Sequence, residues 1–219
     1  MSDESRRSIT IAITGASGAL YAVRTVAALL ERAFHVELVV SDFGRRLLME
    51  ELSVSVDRLL PHLIETYGTT VERGTLQLHS NKDLGAGIAS GSHGCDGMVI
   101  VPCSMKTLAG VAHGLSRTLI ERAADVMLKE RRSLVVAVRE TPLHAGHLET
   151  LQRLARLGAV IFPPVPAFYQ KPASVKEIID QSCMRILDQI DITIDEAPRW
   201  GEVGGVEALG AKASSMDEV

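Results

Sequence analysis

The sequence predicts an α/β fold, a parallel β-sheet with helices on both faces. Three observations carry this. First, β-prone apolar runs alternate with helical patterns along the chain, which implies right-handed strand–helix–strand crossovers. Second, the interior is built from Ala, Leu and Val: hydrophobic residues fill 46% of the 219 positions and aromatic ones only 4%, as suits strands buried on both faces. Third, in ITIAITGASGALY (9–21) five β-prone residues enter a glycine turn and a helical pattern starts at once.

Residues 9–13 are the first strand. Residues 17–33 are the first helix, with Val23, Val26, Ala27 and Leu30 on its apolar face. HVELVV (35–40) is the second strand, ending at Ser41. A helix at 43–52 carries the adjacent acids Glu50 and Glu51. Another helix covers 57–67, where Pro61 fits only near the start because it has no N–H to give. A short strand follows at 76–79. Residues 81–97 read as a loop with five glycines (85, 87, 91, 94, 97), long enough to be functional. A buried strand at 98–101 is stopped by Pro102. Ser104 caps a helix reaching about residue 113, and Ser116 or Thr118 opens another to about 131. A strand at 134–138 ends on Arg139 and Glu140. A helix at 144–157 and a strand at 159–162 come next. Pro163, Pro164 and Pro166 extend the chain to Phe168 and Tyr169, and an amphipathic helix spans 175–190.

The length suits one large α/β domain, placed at 1–202, with a mobile acidic tail at 203–219. Net charge is −4, all of it in residues 195–219, where six acids face Arg199 and Lys212. Residues 1–194 balance, so no basic stripe points to nucleic acid. No apolar run is long enough for a membrane span and no signal peptide opens the chain, so the cytoplasm is the expected compartment. The three cysteines, Cys95, Cys103 and Cys183, form no CxxC pair, which argues against a zinc knuckle or a disulfide framework. His144 and His147 lack a clear third ligand, so they read as two helix histidines, and no metal is expected.

Ligands of such sheets bind outside the carboxyl ends of the strands. Those ends are Thr14–Ser17, Ser41, Pro102–Ser104 and Arg139–Glu140, each polar or charged. Gly15 and Gly18 let backbone come close to a ligand, Ser17 adds a hydroxyl, and the following helix N-terminus attracts anions. A phosphate site and an ordinary strand-to-helix turn both fit this segment. Ser104 and Thr107 offer further donors, and an N-cap at Ser104 is compatible with ligand contact. Arg122 and Lys129, seven apart, share a helix face; by spacing alone that is a solvated surface.

TGASGA (14–19), Ser41, ASGS (89–92), PCSMKTLAG (102–110), LIERAADVMLKERR (119–132), VVAVRETPLH (135–144), GAVIFPPVPAFYQKP (158–172) and PRWGE (198–202) together closely resemble the flavin prenyltransferase family, UbiX-type. The resemblance implies a Rossmann-like, flavodoxin-type fold that binds FMN. It implies transfer of a dimethylallyl group, supplied as dimethylallyl monophosphate, to flavin N5 and then C6 without a metal. It implies a product passed to a prenyl-FMN-dependent decarboxylase, and a large homo-oligomer, a dodecamer being the expected size, with sites built at subunit contacts. On the matching positions, Gly15, Ala16, Ser17, Ser41, Ser104, Met105, Lys106, Thr107 and Arg139 bind flavin. Tyr169 and Arg185 hold the prenyl phosphate, with Ser90, Arg122, Lys129 and Glu140 beside them. Ser17 and Glu51 fall near the reacting centre, and Trp200 matches an aromatic close to it. The resemblance thus implies catalytic roles for Ser17, Glu51, Lys129, Glu140, Tyr169 and Arg185, and convergence of Arg122, Lys129, Arg139 and Arg185 on one pocket. Two alternatives remain on sequence grounds. One is a flavin-dependent cysteine decarboxylase of the same fold, whose loop usually reads Pro-Ala-Ser-Ala-Asn where this chain has Pro-Cys-Ser-Met-Lys. The other is a non-catalytic flavin-binding accessory subunit.

Overall fold

The computed structural model describes residues 7–194. The expected boundary at residue 202, the tail 203–219 and Trp200 lie outside the described residues. Six parallel strands form one sheet: β1 (Ser8–Ile13), β2 (His35–Val40), β3 (Thr75–Ser80), β4 (Gly97–Cys103), β5 (Ser133–Val138) and β6 (Val160–Ile161), in the order β3-β2-β1-β4-β5-β6. β3 is a largely exposed edge strand. Without it the remaining five run in the flavodoxin order, and with it the sheet has the doubly wound Rossmann order. The chain reverses direction across the sheet between β1 and β4, so their carboxyl ends open the crevice where such folds bind ligands.

Alternate strand residues point to opposite faces. Ile9, Ile11 and Ile13, with Val36, Leu38, Val40, Val99, Val101, Val135 and Ala137, meet α1 (Ala19–Glu31), α2 (Asp42–Leu52), α3 (Leu59–Tyr67) and α7 (Val175–Asp188). Ala12, Val39, Met98, Ile100, Val136 and Val138 meet α4 (Met105–Ala112), α5 (Leu119–Lys129) and α6 (Ala145–Arg156). The fully buried Ile9 and Ile11 each stabilise the fold by about 1.5–3 kcal/mol through burial alone. On the second face Val39 of β2 clusters with Ile88, Ala89 and Cys95 of the glycine-rich 81–97 segment.

Several elements differ from their expected bounds for local reasons. α1 starts at Ala19 rather than residue 17 because Gly18 has φ 124°, outside the helical region. β4 continues through Pro102 to Cys103, and its register with β5 shifts between Ile100 and Cys103. Such an irregularity is where a central strand tolerates a residue that cannot donate. The 57–67 segment divides into a 3-10 turn (Val56–Arg58) and α3, which leaves Pro61 in the first helical turn. The expected strand at 159–162 shrinks to Val160–Ile161. Caps set the other starts: Ser41, Ser104, Thr118, His144 and Ser174 each accept a backbone N–H from three residues on.

Candidate active site

The carboxyl ends of β1, β4 and β5 are tied to one another. Thr14, fully buried, donates its hydroxyl to the Pro102 carbonyl at 2.8 Å and accepts the Ser104 N–H at 2.8 Å. Its own N–H also donates to the Pro102 carbonyl. One threonine therefore fixes the β1 turn against the start of α4. From the far side, Arg139 donates through Nε to the Ser17 carbonyl at 3.0 Å. Gly15, Ala16, Ser17, Ser104, Met105, Lys106, Thr107 and Arg139 are thus brought to one end of the sheet.

Ser41 joins them from β2, where its N–H donates to the Ile13 carbonyl. Its Oγ accepts the Gly44 N–H at 3.0 Å, which caps α2. Ser104 Oγ accepts the Thr107 N–H at 3.4 Å and donates to Thr107 Oγ1 at 3.2 Å. A Cβ on Gly15 would collide with the Phe43 side chain, so this glycine lets the β1 turn close on the first turn of α2. Phe43, 62% exposed, stands beside the turn as an open apolar surface.

Glu51 closes the N-terminus of α1. Its carboxylate accepts the Gly18 N–H at 3.0 Å and the Ala19 N–H at 2.8 Å. The α1 N-terminus, where the sequence left a phosphate site and an ordinary turn both open, is capped by a side chain of the same molecule. The dipole and the unpaired N–H groups at a helix start attract any anion, and α2 delivers one. The same contact puts Glu51 beside Ser17, from 34 positions away in sequence.

The basic residues form separate groups. Arg122 donates through Nε to the Ala89 carbonyl at 3.0 Å and pairs with Asp125 at 3.0 Å. Lys129 pairs with Glu130, whose carboxyl it holds below the usual range through that hydrogen bond. A Cβ on Gly91 would lie 2.6 Å from the Lys129 ammonium. Ser90, Arg122 and Lys129 therefore share one surface along α5. Arg185 pairs with Asp188 at 2.7 Å on α7, across the sheet from α5. Arg139 follows the end of β5, whereas Lys129 precedes its start, so a six-residue strand spanning roughly 20 Å separates them. The expected convergence of Arg122, Lys129, Arg139 and Arg185 does not occur within a single chain: hydrophobic packing commits α5 and α7 to opposite faces. Glu140, exposed, accepts the Thr141 N–H at 3.1 Å. Tyr169, half exposed, lies in a 3-10 turn (Phe168–Gln170) after β6.

No group of three or more metal-ligating side chains occurs among the described residues. His144 caps α6 and its ring stacks on His147 with centroids 3.5 Å apart. No helix among the described residues is long and apolar enough to cross a membrane. Two residues carry local structure without a recognisable motif. Asn81 caps α5 with its carbonyl and its Oδ1. Glu37, 2% exposed, stands inside the apolar run of β2, and that lone acid is its only sequence signal.

The strand order defines a doubly wound α/β protein, and its polar carboxyl edge lies at the β1–β4 crevice, where such folds bind ligands. The Flavoprotein family model matches residues 1–191. A curated flavin prenyltransferase UbiX from Alkalihalophilus pseudofirmus is 42% identical over 202 residues, covering 92% of this chain and all of the relative. The crystal structure of AnUbiX (PadA1) in complex with FMN and dimethylallyl pyrophosphate superposes with a TM-score of 0.82 at 40% identity, covering 91% of this chain and 100% of that one. A dodecameric FMN-dependent UbiX-like decarboxylase from Escherichia coli O157:H7 superposes with a TM-score of 0.79 at 37% identity, covering 88% and 98%. The chain belongs to the Flavoprotein family and, within it, to the UbiX-type flavin prenyltransferases.

Proposed function

We infer that this chain joins a dimethylallyl group, delivered as dimethylallyl monophosphate, to N5 and then C6 of FMN. The observation that carries this is the tied carboxyl edge, where Thr14, Ser104 and Arg139 hold three strand ends together in a chain similar to flavin prenyltransferases over its length. The donors there suit FMN in their chemistry. Ser41, Ser104 and Thr107 put hydroxyls at two helix N-termini, which favour a phosphate, and Arg139 adds a guanidinium. Gly15, Ala16, Ser17, Met105 and Lys106 would complete the cradle. When bound and reduced, FMN supplies the nucleophilic ring atoms.

The chain's own residues then have two tasks. Arg122, Lys129 and Arg185 offer cations where charge builds on the leaving phosphate, and Ser90 and Tyr169 offer hydroxyl donors. Glu140 orients that cluster or moves a proton. Ser17 and Glu51 stand together at the reacting centre, Glu51 held by two backbone N–H groups. Water must be excluded, because it would capture an allylic cation. The basic groups lie apart in one chain, so we assign the complete site to contacts between subunits of a homo-oligomer, with a dodecamer the expected size. Val165 at 73% and Phe168 at 70% exposure flank Tyr169 and offer apolar surface for a neighbouring copy. The product passes to a prenyl-FMN-dependent decarboxylase, in the cytoplasm.

Incubation with reduced FMN and dimethylallyl monophosphate, followed by mass spectrometry of the released flavin, tests this function. Prenylated FMN is expected, and flavin recovered unmodified would defeat it. Oxidation of a peptidyl cysteine instead would favour the cysteine-decarboxylase alternative, although this chain carries Lys106 where that class usually has asparagine.

A further inference from the structure

Glu37 belongs to a cluster that the proposed chemistry does not use. Its carboxylate, 3% exposed, receives the His79 Nε2 of β3 at 2.7 Å and the His93 Nε2 of the 81–97 segment. Ser8 Oγ of β1 reaches it at 3.4 Å. Beside it, the buried Thr10 hydroxyl contacts the Cys95 thiol at 3.3 Å. A carboxylate inside an apolar face is costly unless paired, and here both oxygens are paired with imidazoles.

The two imidazoles differ in what they hold. His79 sits on a strand already fixed by the sheet. His93 sits three residues after Ser90, in a glycine-rich segment without a strand or helix of its own beyond a short 3-10 turn (Gly87–Ala89). The 89–93 stretch of that segment is hydrogen-bonded to the rest of the fold at four points. The Ala89 carbonyl accepts Arg122, the Gly91 and His93 carbonyls each accept an Arg132 N–H at 2.8 Å, and the His93 ring meets Glu37. Of these four, only the His93 ring reaches the sheet; further along, the Cys95 thiol and the Asp96 carboxylate meet β1. A Cβ on Gly87 would lie 2.9 Å from His93 Nδ1, so the backbone is also shaped around this ring. Between the anchors, Ser90 Oγ and Ser92 Oγ share a hydrogen bond at 2.9 Å beside Arg122 and Lys129.

We propose that Glu37 and His93 are positioning residues for the substrate phosphate: they pin the Ser90–Ser92 turn to the sheet, so that its hydroxyls stay in register with Arg122 and Lys129. This rests on the assignment of Ser90, Arg122 and Lys129 to the prenyl phosphate. Neither Glu37 nor His93 touches substrate; both act through the turn.

The test compares His93→Ala, His93→Gln and His79→Ala in the full-length protein. His93 is one-third exposed, so its loss does not hollow the core. In His93→Ala, KM for dimethylallyl monophosphate should rise about tenfold or more, with kcat changed less than about threefold and FMN affinity unchanged. Amide hydrogen exchange should accelerate at residues 89–93. His93→Gln, whose carboxamide N–H can still reach Glu37, should recover the wild-type KM. His79→Ala removes the other partner of the same carboxylate without touching the turn, so it should lower Tm and leave KM unchanged. A wild-type KM in His93→Ala, or an equal rise in His79→Ala, overturns the proposal. A wild type that does not prenylate FMN defeats the assigned function instead. Exchange then still decides the latch, which fails if residues 89–93 exchange alike in His93→Ala and wild type.

Discussion

Arg139 donates its Nε–H to the carbonyl of Ser17, 122 residues earlier in the chain, at 3.0 Å. The bond spans the crevice between the β1 turn and the end of β5, with β4 between them. Arg139→Ala should loosen the turn and weaken FMN binding by about 1.5–3 kcal/mol, the range for a hydrogen bond to a charged group. Arg139→Lys should recover little, because an ammonium lacks the planar fork. Flavin titration by fluorescence quenching measures both, and unchanged affinity in Arg139→Ala would remove it from the flavin site.

Glu51 ties the end of α2 to the start of α1. Glu51→Ala strips the cap from Gly18 and Ala19 and should cost about 0.5–2 kcal/mol in urea unfolding. Glu51→Gln keeps an acceptor oxygen and should lose less stability. If Glu51 also serves the reacting centre, both variants slow prenylation, and Glu51→Gln does so by more than its stability loss explains.

Lys129 and Arg185 occupy opposite faces of the sheet. Each alanine variant should raise the prenylation barrier by about 2–4 kcal/mol while FMN stays bound. Tyr169→Phe should slow the reaction more mildly. If the site is built from several copies, oligomers that mix Lys129→Ala and Arg185→Ala subunits recover part of the activity, because some sites then hold both cations. Mixed oligomers no more active than either parent would place both cations on one subunit.

Glu37 makes stability depend on acid. Burial alone would raise its pKa, but hydrogen bonds from His93 and His79 outweigh that and hold it below the ordinary 4.5. A lowered folded-state value means that the carboxylate stabilises the fold above the unfolded-state pKa and that this contribution is lost as pH falls through the folded value. The urea midpoint of wild type should exceed that of Glu37→Gln near neutrality, and the gap should close as pH drops below about 4.5. A gap that widens in acid would show that Glu37 is not the group responsible.

Cys103 and Cys183 are both buried, and burial pushes their thiols up to about 12. The thiolate is the nucleophile, so neither should react with a maleimide near neutral pH in the native protein, and both should react in urea. Rapid native labelling of Cys103 would show that the end of β4 opens to solvent.

The strand–turn–helix at 9–21, the cap at Ser104, a helix opening at Ser116 or Thr118, and the alternation of strands with helices were all legible in the chain. They depend on neighbours a few residues apart: apolar periodicity, a glycine, a hydroxyl three positions before an N–H. The motifs that placed the chain among flavin prenyltransferases are likewise local strings. Tertiary structure alone decided which of them meet. It gave the α1 N-terminus to Glu51 rather than leaving it open, because α2 packs back across the β1 turn. It set Lys129 and Arg139 at opposite ends of β5 and put Arg185 behind the sheet, because the apolar faces of α5 and α7 bind them to different layers. It joined Glu37, His79 and His93, separated by as many as 56 positions, since the sheet pairs β2 with β3 and the 81–97 segment closes over them. A carboxylate in an apolar strand is visible in sequence, but the imidazoles that satisfy it come from elements whose distance along the chain says nothing about their distance in space.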